Sequence, residues 1–130
     1  MEAYDYIHTK ENLALLNGWL LTRSLLPVAA SALPKVGFII LHEGTPIAVA
    51  FLRQCEGLFG LYDSQATNPE VASHLRHEAL DLLHELICNA AKCLGFTRLV
   101  AQTSDKSTIE RSQRYGFRQL PGVLIWKDLL

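Results

Sequence analysis

At 130 residues and 49% apolar, the chain is long enough to bury one core and too greasy to be a disordered tail. Twelve basic against thirteen acidic side chains leave a net charge of −1, which excludes a global field for nucleic acid or an acidic membrane surface. Three cysteines, Cys55, Cys88 and Cys93, are an odd number without paired spacing, as expected of reduced thiols and not of a disulfide framework.

The opening Met-Glu-Ala-Tyr-Asp is acidic where a signal peptide is basic, so no export signal is expected. Asn17, Arg23, Ser24 and Pro27 break the greasy stretch from Leu13 to Leu33 well short of the roughly eighteen apolar residues of a membrane span. These features predict a soluble, cytoplasmic protein of one domain, residues 1–130.

Ala3–His8 alternates weakly as a first strand, and Thr9 is placed to cap a helix whose Leu13, Leu16, Trp19 and Leu20 share one face and which ends near Arg23. Pro27 and Pro34 bracket a short irregular or helical connection. Two apolar runs, Val36–Leu41 and Ile47–Leu52, flank His42-Glu43-Gly44-Thr45 and predict a hairpin. After the turn at Gln54-Cys55-Glu56-Gly57, Leu58–Ala66 reads as a third central strand.

The most organised stretch follows. Thr67 and Glu70 have capping-box spacing and Pro69 suits a first helical position, which predicts a helix opening at Thr67. It closes at Leu94-Gly95-Phe96, with Leu75, Ala79, Leu82, Leu83, Leu86, Ile87, Ala90, Ala91 and Leu94 on one apolar face. Thr97–Thr103 is a further strand, Ser107–Tyr115 a short helix stopped by Gly116, and Val123–Lys127 a last strand. Strand, long helix, strand is a βαβ unit, whose two strands are parallel. The expected class is α/β: a mixed, mostly antiparallel central sheet with one βαβ unit and helices on both faces.

This order resembles the GNAT acetyltransferase superfamily from about Val36 to Leu129, on Pro69-Glu70, Ala79-Leu80, Leu94-Gly95-Phe96 and Tyr115-Gly116-Phe117. The resemblance implies acetyl-CoA as donor, with its pyrophosphate held by backbone N–H groups of an Arg/Gln-x-x-Gly-x-Gly/Ala loop opening the long helix. Thr67, Ser73, His74, Leu75, Arg76 and His77 become the candidate cofactor-binding residues. In Ala72-Ser73-His74-Leu75-Arg76-His77, however, Leu75 and His77 stand where that loop has small residues, and a side chain there occupies space the phosphates need. The resemblance also implies a tyrosine on the short helix that protonates the leaving thiolate. Ser112 takes that position, with Tyr115 three residues on, and Asp63 or Glu56 is the candidate base. Leu33-Pro34-Lys35-Val36-Gly37 is loosely similar to the hairpin entry of small acetyltransferase-like proteins of tailed phages, which implies host cytoplasm or a virion as location.

His74, His77, Asp81, His84 and Cys88 form a stripe away from the apolar face. Zinc is not expected there, because no second ligand cluster exists elsewhere and a solvated face accounts for the pattern. Arg98, Arg111, Arg114 and Arg118 make the C-terminal third locally basic, again as a solvated face. Tyr4, Tyr6 and Trp19 read as core more than as a partner surface, and neither Cys88 nor Cys93 has a neighbour that predicts an activated thiolate. No P-loop, Rossmann glycine pattern, catalytic triad or nucleic-acid motif is present.

Two functions remain. The first is a non-catalytic, pseudoenzyme-like structural module that binds a protein partner or a second copy, with no resident cofactor. The alternative is an N-acyltransferase that takes acetyl-CoA in an atypical loop and uses Ser112 or Tyr115 with Asp63.

Overall fold

The computed structural model describes residues 1–130. Its strands are β1 (Glu2–Asp5), β2 (Val36–His42), β3 (Thr45–Gln54), β4 (Phe59–Thr67) and β5 (Arg98–Ala101). The helices are α1 (Lys10–Thr22), α2 (Ser73–Cys93) and α3 (Lys106–Arg114), with one 3-10 turn at Ala30–Ala32. The five strands form one sheet in sequence order, antiparallel except for the parallel pair β4–β5. This is the mixed α/β sheet with a βαβ unit that the chain order implies.

β3 is the centre. Its residues Ile47 to Leu52 are all buried, and their alternation serves two cores. Val49 and Phe51 join Leu16, Trp19 and Leu20 of α1 on one face. Ala48, Ala50 and Leu52 join Ala79, Leu80, Leu83, Ile87 and Ala91 of α2 on the other. The small alanines on β3 let α2 lie close to the sheet, while the larger residues come from the helix. At roughly 1.5–3 kcal/mol for each large side chain removed from water, these two layers supply most of the folding energy.

Local signals act where the chemistry requires them. The Thr9 hydroxyl accepts from the Asn12 amide at 3.2 Å and starts α1. Both later helices end in the same device. Gly95 and Gly116 take φ of +86° and +94°, and the amides of Phe96 and Phe117 donate to the carbonyls of Ala91 and Ser112 at 3.0 Å. Leu-Gly-Phe and Tyr-Gly-Phe are thus helix stops in which glycine supplies the left-handed residue.

Three expectations are corrected. The long helix starts at Ser73, six residues after Thr67, and the capping box does not form. Thr67 is still paired with Ala48, and its hydroxyl accepts from the Arg23 guanidinium at 2.7 Å. Asn68 continues the connection by donating its amide to Ile47 O at 2.8 Å and accepting from the Glu70 amide at 3.0 Å. The strand therefore outlasts the local helix signal. Secondly, Val123–Lys127 is not a strand, because no neighbour lies alongside it and strand propensity is mostly the packing of such a neighbour. Thirdly, β1 and β5 are each four residues long, shorter than the runs Ala3–His8 and Thr97–Thr103.

Candidate functional site

β4 and β5 run side by side only from Phe59 to Tyr62 on one strand and Arg98 to Ala101 on the other. Beyond Tyr62, β4 continues along β3 to Thr67 while β5 has ended, so the outer edge from Asp63 to Thr67 has no strand beside it. Ser64 sits at φ +51°, and the register against β3 slips between Val49 and Phe51, which marks a bulge there. The two parallel strands thus part at their carboxyl ends, from which β4 leads on to α2, an opening of the kind where ligands usually lie in sheets with parallel strands.

At the top of that opening the N-cap of α2 is Ala72, which has no side chain able to cap. The amides of Leu75 and Arg76 both donate to Ala72 O, at 3.1 and 3.2 Å, so the chain is already helical there. Ala72, Ser73 and His74 keep the free, exposed amides of an ordinary helix start. Leu75 is half-buried and His77 exposed. The Arg76 guanidinium turns back and donates to Val71 O, and Arg23 donates to Thr67 O at 2.6 Å. Burial, and then the Arg76 charge, lowers the pKa of Arg23.

The three candidate catalytic side chains each have a separate hydrogen-bond partner. Asp63 accepts from Arg53 Nε at 2.6 Å, on the sheet face that α1 covers, and Arg53 also donates to Ala32 O at 2.7 Å. Ser112 donates its hydroxyl to Thr108 O at 2.8 Å, within its own helix. Tyr115 caps α3, stacks on His84 with ring centroids 4.0 Å apart, and donates its hydroxyl to the Asp81 carboxylate. Burial, followed by that bond, pushes the Tyr115 phenol well above its usual range, and burial does the same to Tyr62 nearby on β4. Glu56 is exposed in the β3–β4 turn.

The helix stripe divides. His74, His77 and Asp81 are exposed, whereas His84 and Cys88 are half-buried beneath the end of α3. Phe117 meets the edge of the His84 ring at 5.8 Å. Cys88 Sγ lies 3.6 Å from His84 Nε2, a contact that the spacing of four residues permits and that sequence reasoning missed. Burial lowers the His84 pKa against the opposing pull of Asp81 and Glu85, and burial raises that of Cys88. Both shifts act in favour of the uncharged imidazole and the uncharged thiol. No group of three His, Cys, Asp or Glu side chains converges as a metal site.

The sequence pattern puts Arg111 with Arg114 on a solvated face, but Arg111 is 9% exposed, the one buried charged residue, and it makes no ion pair. Its spacing of three from Thr108 and four from Tyr115 is the available signal, since all three lie on the inner face of α3.

Sheet topology and helix order match a GNAT-like fold. Among solved structures, Rv2747 from Mycobacterium tuberculosis, in complex with CoA and NLQ, superposes with a TM-score of 0.76 over 97% of this chain and 76% of its own, at 15% identity. TTHA1254 from Thermus thermophilus gives 0.69 over 99% of this chain and 98% of its own, at 20% identity. Glucosamine-6-phosphate N-acetyltransferase from Arabidopsis thaliana gives 0.65 over 98% and 97%, at 12% identity. No protein-family model and no curated protein matches the sequence.

Proposed function

We propose that this is a non-catalytic protein of acetyltransferase fold that binds a protein partner or assembles with itself, its donor cleft no longer suited to a coenzyme diphosphate. The start of α2 carries this reading. A diphosphate cradle needs several amides turned outward from bare main chain; here Leu75 and Arg76 commit theirs to Ala72 O, which leaves only those of Ala72, Ser73 and His74, and the Leu75 and His77 side chains stand where small residues would let phosphates approach. The Arg76 guanidinium is likewise occupied by Val71 O. The residues present do not fit the diphosphate. The separate engagements of Asp63, Ser112 and Tyr115 add support, since a base and an acid must reach one reacting centre.

One observation favours a second reading, an N-acyltransferase using acetyl-CoA. The pairing of β4 with β5 stops at Tyr62 and Ala101, and the free amides of Ala72, Ser73 and His74 stand at a positive helix end, which attracts anions. In that reading Ser112 or Tyr115 would serve as proton donor. Calorimetry with acetyl-CoA separates the two. The first reading predicts no heat of binding at millimolar ligand, and a micromolar dissociation constant that tightens in Leu75→Gly would establish the second.

A further inference from the structure

We infer that the guanidinium of Arg111 and the hydroxyl of Tyr62 form an anion site between α3 and β4 that takes the carboxylate of a small monocarboxylic acid. The inference goes beyond the partner-binding role proposed above and does not depend on it.

Arg111 carries it. The residue is 9% exposed on the inner face of α3, yet its side chain makes no hydrogen bond, and the one ion pair of the chain joins Arg53 to Asp63. A guanidinium stays charged at any working pH and offers five N–H donors in a fixed fork. None of the five is used here. Nor are its nitrogens sealed, because the only sealed side-chain polar atom without a partner is the Tyr6 hydroxyl. The stem is therefore buried while the fork keeps a narrow outlet to solvent. Tyr62 is in the same condition. It packs half-buried on the α2 side of β4, and its hydroxyl is neither bonded nor sealed. The Arg111 charge works against burial at the phenols of Tyr62 and Tyr115, which sets the guanidinium within electrostatic reach of both.

The carboxylates around it are engaged elsewhere. Asp105 caps α3 and accepts from Ser107 Oγ and from the Thr108 amide and hydroxyl. Asp81 accepts from the Tyr115 hydroxyl, and neither acid lies within ion-pair distance of Arg111. They also set the charge of the ligand. One negative charge is matched by one guanidinium, whereas a second would face the two carboxylates. A planar carboxylate meets the fork through two parallel N–H···O bonds, and the Tyr62 hydroxyl would donate a third. The narrow outlet admits a slender group such as acetate or propionate and turns away a bulky polyanion.

The test is NMR of the full chain, following the Arg111 Nε–H and the Tyr62 ring during titration with sodium propionate at constant ionic strength, with sodium chloride and inorganic phosphate run in parallel. The expected result is a saturable shift at both residues with propionate alone, with a dissociation constant on the order of a millimolar. Arg111→Lys keeps the charge and loses the fork, so it should weaken binding about tenfold, and Tyr62→Phe should weaken it about threefold. Tyr62→Phe removes a hydroxyl and no packing, so it keeps the test open should Arg111→Lys not fold. No saturation at any attainable propionate concentration overturns the inference. So does an equal response to chloride or phosphate, which means an adventitious ion only, or propionate binding indifferent to the substitutions. Acetyl-CoA enters none of these readouts. A silent propionate titration therefore leaves the non-catalytic reading standing, and calorimetric binding of acetyl-CoA would defeat that reading without touching this site.

Discussion

The chain up to Phe96 and the chain beyond it are held by different forces. In the first part β3 buries an unbroken run from Ile47 to Leu52, and α1 and α2 each cover one sheet face. Beyond Ala91 the only buried residue is Arg111. There α3 is attached by the His84–Tyr115 stack, the Tyr115–Asp81 hydrogen bond and the inward side of Arg111. A scaffold can therefore persist on its apolar layers while the last segment of the chain is free to change, and a shared fold leaves the activity open.

Three perturbations sharpen that contrast, in falling order of effect. Phe51 is fully buried and meets Tyr6 edge-on at 4.8 Å, so Phe51→Ala should cost about 4 kcal/mol in urea unfolding. A cost near that of an ordinary surface change would erase the distinction between the two regions. Arg111→Met keeps the length of a side chain that is 9% exposed and makes no ion pair, so it should change stability by less than about 1 kcal/mol, and a clear loss would mean that the guanidinium holds α3 in place.

The smallest effect belongs to Asp105, the N-cap of α3, whose carboxylate accepts from Ser107 Oγ at 2.7 Å and from the Thr108 amide at 2.9 Å. The Ser107 and Thr108 bonds hold its pKa down at about 2, below the ordinary 3.8. Because the folded value is the lower one, its contribution is complete above 3.8 and disappears as pH falls toward 2. Asp105→Ala should cost about 0.5–1 kcal/mol, seen as faster amide exchange in α3 with α1 and α2 unaffected. Equal acceleration in all three helices would show that α3 is cooperative with the core after all.

The same division separates what is legible in the sequence from what is not. The hairpin, the apolar face of α2 and both glycine stops are readable because period and turn chemistry are local. Thr67 misleads because its spacing to Glu70 says nothing of Ala48 across the sheet or of Arg23, the partners that keep it in β4. Val123–Lys127 has strand composition but no adjacent strand. Around the candidate site, Arg53 beside Asp63 and Asp81 beside Tyr115 are pairings over ten and thirty-four residues, which spacing does not encode. Cys88 against His84 and the inward face of Arg111 are within reach of helical spacing, and the charge of the side chains obscures them.

We propose that the amides from Leu75 onward belong to α2 and not to a ligand cradle, and backbone NMR during a coenzyme A titration is the sharpest check. The expected result is slow exchange at Leu75, Arg76 and His77 and no shift of their resonances at millimolar ligand. Saturable shifts converging on Ser73–His77 at micromolar coenzyme A would contradict it.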